Sequence, residues 1–508
     1  MPPSLPLRVL FLCAEADPLV KIGGLGDVGG SLPVALSALN NATMTEDRKT
    51  PPGIDLRVVL PFHGSINPNR YKIQPVAMFS VPHTSGAIKA KAYSLTVNHV
   101  QFYLIAGDPI SPQAPVYSSD LGYDAHKYIF FSLAALELAR QLGWQPHVLH
   151  ANDWHTAPAV YWLSLHRETD EFFRRTAMLQ SVHNLPYLGV GAGFPMESFN
   201  LPPAPGDLLP EWARHLPLPL ALLTADYITT VSPTYAKEIL STEFGSGLEA
   251  LLRKRADRLS GILNGIDYRL WNPADDPAIP VTYTPESLFV REANKAALLN
   301  ELGFIANDTG IAEGHIPLLA MISRMDYQKG VDIAIEAIYS LSRSESLPWR
   351  VIFLGTGLAE LEQSARRLQW YLPDRVRSLT RFDSPLSHRL YAAADLLMMP
   401  SRYEACGLTQ MIAQRYGCVP VARATGGLND TISDYRSSTE GTGFLFNHPT
   451  PEALAQSLIT AMDIFQNRPI WQGLQKRGME MDFSWNRSAH QYYNLYTSLV
   501  AARQYDPI

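Results

Sequence analysis

The sequence predicts an α/β protein built from two parallel sheets, each covered by helices on both faces. Short β-branched runs alternate along the chain with longer segments of helical periodicity, which is typical of repeated strand–helix–strand units. A stretch rich in proline and turn-forming residues, 271–285, interrupts this alternation, which then starts again. The chain has 508 residues and is too long for a single hydrophobic core. We therefore expect two doubly wound domains of similar size.

The first half of the chain supplies the first sheet. Apolar and β-branched runs predict strands at 7–13, 55–60, 100–106, 147–151, 177–182, 227–232 and 259–263. Between residues 72 and 106, three such runs follow one another without a helical segment, which predicts an antiparallel insertion in the sheet. A long helix is expected after it, at 125–142.

The second half repeats the pattern. Strands are expected near 317–323, 350–354, 376–381, 395–399, 418–422 and 442–446, with helical segments between them. The expected domains are therefore residues 1–270 and 271–482. Because ligands of such sheets bind beyond the carboxyl ends of the strands, we expect the two domains to face a cleft that holds the active site.

Composition and charge exclude several classes of protein. Apolar residues make up 46% and charged residues 18% of the chain. The sequence contains no run of eighteen apolar residues, which a membrane-spanning helix would need. The net charge of −6 argues against bulk affinity for nucleic acid. The first residues, with Arg8 inside a short apolar run, do not resemble a cleaved signal peptide. The three cysteines have no metal-ligand spacing and fit a cytoplasmic location.

The segment Lys21–Gly30 follows the first predicted strand and contains one lysine and five glycines. Glycines let backbone N–H groups approach a ligand closely, and a helix that follows would present its positive N-terminal end. Lys21 adds a full positive charge. We therefore expect a glycine-rich turn that binds a phosphate group. The alternative is that packing alone requires the glycines.

The same glycines match the G-x-G-x-x-G pattern of dinucleotide-binding folds. In those folds the first glycine follows its strand directly, and an acidic residue lies at the tip of the second strand. Here the second predicted strand leads into Pro61-Phe62-His63, with no carboxylate. The pattern therefore disfavours a nicotinamide or flavin site.

Polar residues follow two successive predicted strands of the first domain. His150-Ala151-Asn152-Asp153-Trp154-His155 ends one strand, and His183 follows the next. The histidines lack the H-E-x-x-H spacing of a zinc site, and the mixture suits hydrogen bonds to sugar hydroxyls with Trp154 as a stacking face. A polar strand end that caps the next helix is the alternative, and His183 could be an ordinary loop histidine.

Two further turns follow strands of the first domain. Ser232 and Pro233 predict the N-cap and first residue of a helix, which requires no functional role. Asn264 lies in a turn after the last strand of this half and could face a ligand.

Charged residues follow strands of the second domain as well. Arg324 and Lys329 come directly after its first strand. Two cations at a strand end suit a diphosphate, because an arginine binds two oxygens at once and a lysine supplies a compact charge. A solvated basic loop is the alternative. The segment 355–357, Gly-Thr-Gly, predicts another turn that permits close approach.

The segment Pro400–Gln410 combines a strand end, the carboxylate of Glu404 and a helix start at Gly407-Leu408-Thr409. Glu404 alone could interact with the helix dipole. Together with Arg324, Lys329 and Lys21, these residues predict a site for a sugar linked through a diphosphate.

The sequence resembles the bacterial glycogen synthases and plant starch synthases over nearly its whole length. The resemblance rests on Lys21 to Val28, His150 to His155, Val182 to Leu185, Val231 to Ala236, Asn264 to Asp267, Ser323-Arg324 with Gln328-Lys329-Gly330, and Pro400 to Gln410 with Thr425 to Leu428.

The resemblance implies the GT-B fold, here two Rossmann-like domains. Residues 1–270 would form the glucan acceptor side and residues 271–482 the nucleotide-sugar donor side, and a helix within 483–508 would cross back to the first domain. The implied reaction transfers glucose with retention from ADP-glucose to the non-reducing end of an α-1,4-glucan. The implied partners are thus a nucleotide sugar and an α-glucan, with no nucleic acid and no membrane.

The resemblance also implies roles for residues at matching positions. The expected catalytic residues are His183, Arg324, Lys329, Glu404 and Asp153. The expected donor-binding residues are Lys21, Gly23, Gly24, Asp27, Asn264, Arg324, Lys329, Gly355, Cys406, Gly407, Leu408 and Thr409. The expected acceptor-binding residues are Glu15, Trp154 and His155.

No metal ion is expected, because the sequence lacks the Asp-x-Asp pattern of another glycosyltransferase architecture. Fixed cations and N–H groups would stabilise the leaving diphosphate in the transition state. Retention is compatible with a carboxylate nucleophile and with substitution on one face of the sugar, and we favour the latter. The alternative functions are a transferase that uses UDP-glucose or a non-glucan acceptor, and a non-catalytic glucan-binding homologue.

Overall fold

The computed structural model describes residues 6–41, 53–304, 313–343 and 348–505. The chain divides into two compact units, the first formed by Met1–Gly265 with Trp485–Ile508 and the second by Ile266–Ser484. These divisions lie near residues 271 and 483, where we expected the domain boundaries. Each unit contains one sheet with parallel strands and flanking helices. The predicted fold class of two parallel-sheet α/β domains is confirmed.

The first unit contains nine strands in its described part. They are β1 (Leu7–Leu12), β2 (Ile54–Pro61), β3 (Gln74–Val81), β4 (Ile88–Val97), β5 (Val100–Gly107), β6 (Val148–Asn152), β7 (Ala177–Val182), β8 (Tyr227–Thr230) and β9 (Leu259–Gly261). They form one sheet in the order β3-β4-β5-β2-β1-β6-β7-β8-β9. As predicted, β4 pairs antiparallel with β3 and β5, whereas the other neighbours pair in parallel.

Helices connect these strands. They are α1 (Gly24–Ala38), α2 (Leu121–Gln141), α3 (Ala157–His166), α4 (Gly193–Ser198), α5 (Pro217–Thr224), α6 (Pro233–Glu238) and α7 (Glu249–Lys254). Helix α2 begins before the expected residue 125, because the Asp120 side chain accepts a hydrogen bond from Tyr123 N (2.9 Å) and caps it at Leu121. Ser232 caps α6 as predicted, accepting from Tyr235 N (2.9 Å).

The second unit has a sheet of six strands in its described part. They are β10 (Leu318–Ile322), β11 (Arg350–Leu354), β12 (Val376–Leu379), β13 (Leu396–Met399), β14 (Val419–Arg423) and β15 (Phe444–Phe446). Every pair is parallel, and the order is β12-β11-β10-β13-β14-β15. Most residues of these strands are apolar and buried, as expected for a parallel sheet covered by helices, although β12 contains the half-buried Arg377 and Ser378.

The helices of the second unit alternate with its strands. They are α8 (Arg291–Glu301), α9 (Val331–Leu341), α10 (Ala359–Tyr371), α11 (Ser384–Ala393), α12 (Thr409–Arg415), α13 (Gly426–Thr431), α14 (Pro451–Phe465) and α15 (Arg468–Glu480). Phe353 of β11 and Trp471 of α15 are both fully buried in its main hydrophobic cluster.

A last helix, α16 (Trp485–Tyr505), belongs to the first unit. Its Ser488 Oγ donates a hydrogen bond to Leu263 O (2.5 Å), and the Tyr496 hydroxyl lies 2.7 Å from His150 Nδ1 in β6. The described part of the chain contains no helix long and apolar enough to cross a membrane.

Candidate active site

The predicted site residues follow the carboxyl ends of parallel strands within each unit. In the first unit they follow β1, β6, β7 and β9, and in the second they follow β10, β11 and β13. Parallel strands end at one edge of their sheet, so the sheet brings residues that are distant in sequence to a common edge.

The glycine-rich segment is the start of a helix rather than a turn. Helix α1 begins at Gly24, with Gly23 as its N-cap residue. A Cβ atom at Gly29 would lie 2.2 Å from Glu15 O, and one at Gly30 would lie 2.1 Å from Asp17 O, so packing accounts for both of these glycines. A Cβ at Gly24 would meet nothing within 4 Å. Gly23 and Gly24 therefore leave room for a ligand at the start of the helix.

Glu15 already binds the backbone before α1. Its Oε2 accepts hydrogen bonds from Ile22 N (2.5 Å) and Gly23 N (3.0 Å), and its Oε1 accepts from the Tyr117 hydroxyl (2.6 Å). Glu15 is only 2% exposed. Two of the N–H groups that we expected to bind a phosphate thus contact the protein's own carboxylate. A direct acceptor contact by Glu15 would compete with these three donors.

Lys21 lies at the surface next to two carboxylates. Its Nζ lies 2.5 Å from Asp27 Oδ1 and 3.7 Å from Asp17 Oδ2. Burial raises the pKa of the Asp27 carboxyl, and the Lys21 charge opposes that rise. Lys21 and Asp27, both expected donor-binding residues, therefore contact each other.

Asp153 is held at the junction of β6 and β7. It has a positive φ of 55°, and its Oδ1 accepts hydrogen bonds from His183 N (2.7 Å) and Asn184 N (3.4 Å). Burial raises the pKa of the Asp153 carboxyl to about 7, although these two N–H groups favour its charged form. Asp153 can therefore change its charge near neutral pH.

His183 lies beside Asp153, because β6 and β7 are adjacent in the sheet. Asn152 Nδ2 donates to Leu12 O (2.9 Å), which directs Asn152 Oδ1 toward His183 Nε2 (2.9 Å). His183 Nε2 therefore donates, and Nδ1 of the neutral ring is an acceptor. Burial lowers the pKa of His183 to about 4, so the ring is neutral at physiological pH. Asn152 was not among the expected site residues.

The other residues of this motif separate into two groups. His150 is buried between the Tyr496 hydroxyl and Ser181 Oγ (2.7 Å each), which is a structural role. Trp154 and His155 lie close together, with ring centroids 4.3 Å apart. Within the described residues, the buried Nδ1 of His155 has no hydrogen-bond partner. A buried polar atom without a partner is costly, so His155 has unused capacity to bind a ligand.

Asn264 shows a similar feature in the loop after β9. The residue is buried, and its Oδ1 has no hydrogen-bond partner in the described part of the chain. A buried oxygen without a partner is compatible with a ligand contact, and donor binding by Asn264 stays a prediction.

In the second unit, Lys329 and Glu404 form an ion pair. Lys329 Nζ lies 2.6 Å from Glu404 Oε2, which also accepts from Ser401 Oγ (3.1 Å). The side chains are 20% and 7% exposed, respectively. The two residues follow β10 and β13, which are neighbours in the sheet. Two residues that we expected to bind different parts of the substrate thus bind each other.

Arg324 lies at the surface, in the same loop as Lys329. Its side chain is 61% exposed, with Asp326 Oδ2 at 3.1 Å and Gln328 Oε1 at 3.3 Å. These contacts with the protein are weak in water, so Arg324 can rearrange to bind an anion.

Arg402 joins the two loops and was not predicted. Its guanidinium donates to both oxygens of Asp332 (2.9 and 2.7 Å) and to Tyr327 O (2.6 Å). Its backbone N–H donates to Gln328 O (2.7 Å). The loop that carries Lys329 is therefore bound directly to the loop that carries Glu404. Arg402 lies two residues before Glu404 in the quoted motif, which was the available signal.

Several glycines of the second unit are required by backbone packing. A Cβ at Gly330, whose φ is +69°, would lie 2.2 Å from Pro400 O. A Cβ at Gly355 would lie 1.8 Å from Ser323 O, and one at Gly357 would lie 2.3 Å from Met325 O. The close approach that we expected at Gly355 is therefore made by a neighbouring loop. A ligand contact there would involve its backbone only.

The remaining expected donor residues surround the start of α12. Cys406 is buried, Gly407 has a φ of +72°, and Leu408 and Thr409 are the N-cap and first residue of the helix. Gly407, Leu408 and Thr409 are partly exposed, whereas Cys406 is not. The donor contacts expected of these four residues stay predictions.

Residues 8–254 match the family model described as the starch synthase catalytic domain, and residues 308–468 match the model described as glycosyl transferases group 1. The glycogen synthase of Anaeromyxobacter sp. (strain Fw109-5) is 37% identical over 97% of this chain and 100% of its own length. This chain belongs to the glycogen and starch synthase family. The glycogen synthase of Thermotoga petrophila is also 37% identical to this chain, over 97% of this chain and 99% of its own length.

Solved structures agree with the assignment to this synthase family. The catalytic domain of starch synthase IV from Arabidopsis thaliana, bound to ADP and acarbose, superposes with a TM-score of 0.85 and 31% identity over 98% of this chain and 100% of its own. Sucrose-phosphate synthase from Thermosynechococcus elongatus shares the fold, with a TM-score of 0.59 and 20% identity over 98% of this chain and 100% of its own. The predicted family and the predicted enzyme class, a retaining glucosyltransferase of the glycogen and starch synthase type, are confirmed. A non-catalytic homologue is not favoured.

Within the described residues of this synthase, no group of three or more His, Cys, Asp or Glu side chains could hold a metal ion. Catalysis without a metal stays a prediction, as do the roles of the individual site residues.

Proposed function

We propose that this enzyme transfers glucose from ADP-glucose to the non-reducing end of an α-1,4-glucan, with retention and without a metal ion. The observation that carries the proposal is the Lys329–Glu404 pair, with Arg324 in the same loop as Lys329. The relative solved with ADP and acarbose supports the choice of an adenine nucleotide and a glucan.

Arg324 and Lys329 would bind the diphosphate. Negative charge develops on the leaving diphosphate oxygen as the glycosidic bond breaks, and a fixed cation stabilises that charge most in the transition state. Lys329 is positioned for this role because its loop is held by Arg402 and its amine is held by Glu404. Glu404 would then accept hydrogen bonds from glucose hydroxyls through the oxygen that Lys329 does not bind.

Asp153 and His183 would contact the transferred glucose and the acceptor. His183 is neutral and has an acceptor nitrogen, Nδ1, which suits a sugar hydroxyl. Trp154 would stack on an acceptor ring, and the unpaired Nδ1 of His155 would accept from a hydroxyl.

Lys21 and the exposed backbone at Gly24, the first residue of α1, would bind donor phosphate oxygens, whereas the Gly23 N–H is already bound to Glu15 Oε2. Lys21 would exchange its contact with Asp27 for the more highly charged diphosphate. Asn264 would present its unpaired Oδ1 to the donor.

The test is nucleoside diphosphate release by the purified full chain. ADP-glucose and UDP-glucose are each supplied with and without glycogen, in buffer that contains EDTA. We expect ADP release that depends on glycogen and resists EDTA. Release of UDP from UDP-glucose instead would show a different donor. Loss of activity in EDTA would refute the metal-free reaction. ADP release at the same rate with and without glycogen would refute the glucan acceptor.

We also propose a cytoplasmic location. The three cysteines, Cys13, Cys406 and Cys418, are all buried and free in the structure. Free thiols persist where the compartment is reducing.

A further inference from the structure

The segment Val231–Ala236 follows β8 and contributes no residue to the proposed reaction. Its Ser232 caps α6, and its Tyr235 is only 1% exposed. The Tyr235 hydroxyl accepts a hydrogen bond from the backbone N–H of Leu185 (3.1 Å), which lies 50 positions earlier in the chain. Leu185 belongs to the loop that follows β7 and carries His183. Helix α6 is therefore bound directly to the loop of His183.

Three successive N–H groups of the loop after β7 donate to side chains. His183 N and Asn184 N donate to Asp153 Oδ1 (2.7 and 3.4 Å), whereas Leu185 N donates to the Tyr235 hydroxyl. Leu185 is fully buried, and a buried N–H group needs a partner within the protein. Without the hydroxyl, this N–H would be left unpaired or the loop would have to move to find another acceptor. The path of the loop therefore depends on two side chains from different elements.

The start of α6 is itself fixed to the sheet. A Cβ atom at Gly261 of β9 would lie 2.0 Å from Ser232 O and 2.4 Å from Pro233 N, so the two backbones are in close contact. Thr230 Oγ1 of β8 donates to Ser232 O (3.0 Å), and Ser232 Oγ accepts from Tyr235 N (2.9 Å). The ring of Tyr235 is fully buried beyond this cap. Its hydroxyl therefore has a defined position relative to the strands of the unit.

The position of His183 matters for the proposed reaction, in which its imidazole meets the transferred glucose. Asn152 Oδ1 accepts from His183 Nε2 (2.9 Å) and orients the ring, while Asp153 binds the backbone N–H of the same residue. Neither contact fixes the chain beyond Asn184. A displacement of about 1 Å at a reacting group can lower a rate by about 10²-fold. The contact between Tyr235 and Leu185 limits such a displacement.

We propose that Tyr235 is a positioning residue for glucose transfer, because its hydroxyl holds the loop of His183 in the reactive arrangement. This inference rests on the proposed function, which assigns His183 to the transferred glucose. The hydroxyl is buried against Leu185 and would not touch the substrate itself. The residues that would bind the diphosphate, Arg324, Lys329 and Lys21, lie in other loops. Loss of the hydroxyl should therefore slow transfer without weakening donor binding.

The experiment compares two variants of the full chain that each lose one hydroxyl group. Tyr235→Phe keeps the buried ring and removes the acceptor of the Leu185 N–H. Tyr161→Phe is the matched control, because Tyr161 of α3 is 2% exposed and its hydroxyl donates to a different loop, at Pro202 O (2.7 Å). Melting temperature, kcat and KM for ADP-glucose at saturating glycogen are measured. Hydrogen–deuterium exchange of a peptide that spans residues 183–187 is followed without substrate.

We expect both variants to lower the melting temperature by a similar amount, about 2–4 °C, because each loses a hydrogen bond of a buried tyrosine. Tyr235→Phe alone should lower kcat about tenfold, with KM for ADP-glucose changed by less than about twofold. It alone should also speed exchange in the peptide 183–187 by about tenfold.

A normal kcat in Tyr235→Phe, unchanged exchange in that peptide, or an equal loss of kcat in Tyr161→Phe would each overturn the inference. A raised KM for ADP-glucose at normal kcat would overturn it as well, since the hydroxyl would then act on donor binding. Absence of glycogen-dependent ADP release by the unsubstituted enzyme would refute the proposed function. The exchange measurement would still show in that case whether the hydroxyl holds the loop.

Discussion

The Lys329–Glu404 pair allows stability and catalysis to be separated by a double-mutant cycle. In Lys329→Met, the Glu404 carboxylate keeps Ser401 Oγ but loses its cation at a site where only 7% of its side chain is exposed. Removing one partner of a fully buried pair costs about 3–5 kcal/mol, and the partial exposure of Lys329 reduces the expected cost to about 2–3 kcal/mol. In Glu404→Gln, the remaining ammonium is better solvated, and we expect about 1–2 kcal/mol.

The double variant should be less unstable than the sum of the two single variants. Neither an unpaired carboxylate nor an unpaired ammonium remains, so we expect a coupling energy of about 1–2 kcal/mol. Calorimetry of the four proteins measures it as melting temperature, where 1 kcal/mol corresponds to about 2–4 °C for a unit of this size. The turnover number should fall by a factor of about 10²–10³ in each single variant, and the double variant should not recover the lost activity.

Two results would refute this reasoning. If the stability effects of the two substitutions add within about 0.5 kcal/mol, the pair is not energetically coupled. If the double variant regains the turnover number of the unsubstituted enzyme, neither charge acts on the substrate. Ser342→Ala, a change at the C-cap of α9 in the same unit, is the control for handling and expression.

Three further predictions concern other residues of the two units. Burial raises the pKa of Asp153 to about 7, so the folded state loses stability as pH rises from about 4 to 7. The melting temperature of Asp153→Asn, measured relative to the unsubstituted enzyme, should therefore rise across that range. A constant difference between the two melting temperatures would contradict the raised pKa. Gly30→Ala should unfold the first unit or lower its melting temperature by several degrees, whereas Gly24→Ala should keep the melting temperature and raise KM for the donor; equal melting temperatures in the pair would contradict the packing argument. Arg402→Lys keeps the charge but loses the two-point contact with Asp332, so it should lower kcat by about tenfold with little change in KM for glycogen, and a normal kcat would show that Arg402 does not position the loop of Lys329.

The sheets, and the strand ends at which the site residues lie, could be predicted from the sequence. Strand positions follow from short apolar runs, and polar residues directly after such runs identify the carboxyl edge. Asp153 with His183 and Lys329 with Glu404 meet because their strands are neighbours in the sheet. Strand adjacency was not predicted by the runs themselves, but the chemistry of these residues already indicated a shared site.

The contacts made by loops could not be predicted in this way. Glu15 and Tyr117 are 102 positions apart, and Tyr117 belongs to a loop without periodicity or motif. The same holds for the contact of Arg402 with Asp332, 70 positions away. The glycines of residues 23–30 were predicted as one functional turn, but two of them are needed only because the backbone at Glu15 and Asp17 packs against α1. Such contacts depend on the path of a distant loop, which local sequence patterns do not encode.

Helix α16 has a consequence for how the chain folds during synthesis. Tyr492 and Tyr496 of this helix are fully buried in the first unit, and the Tyr496 hydroxyl lies beside His150 of β6. A ribosome releases residues 266–484 before this helix emerges. The second unit can therefore complete its core while the nascent first unit still exposes the apolar surface that α16 will cover. The order of synthesis therefore allows the unit whose translation begins first to finish folding last.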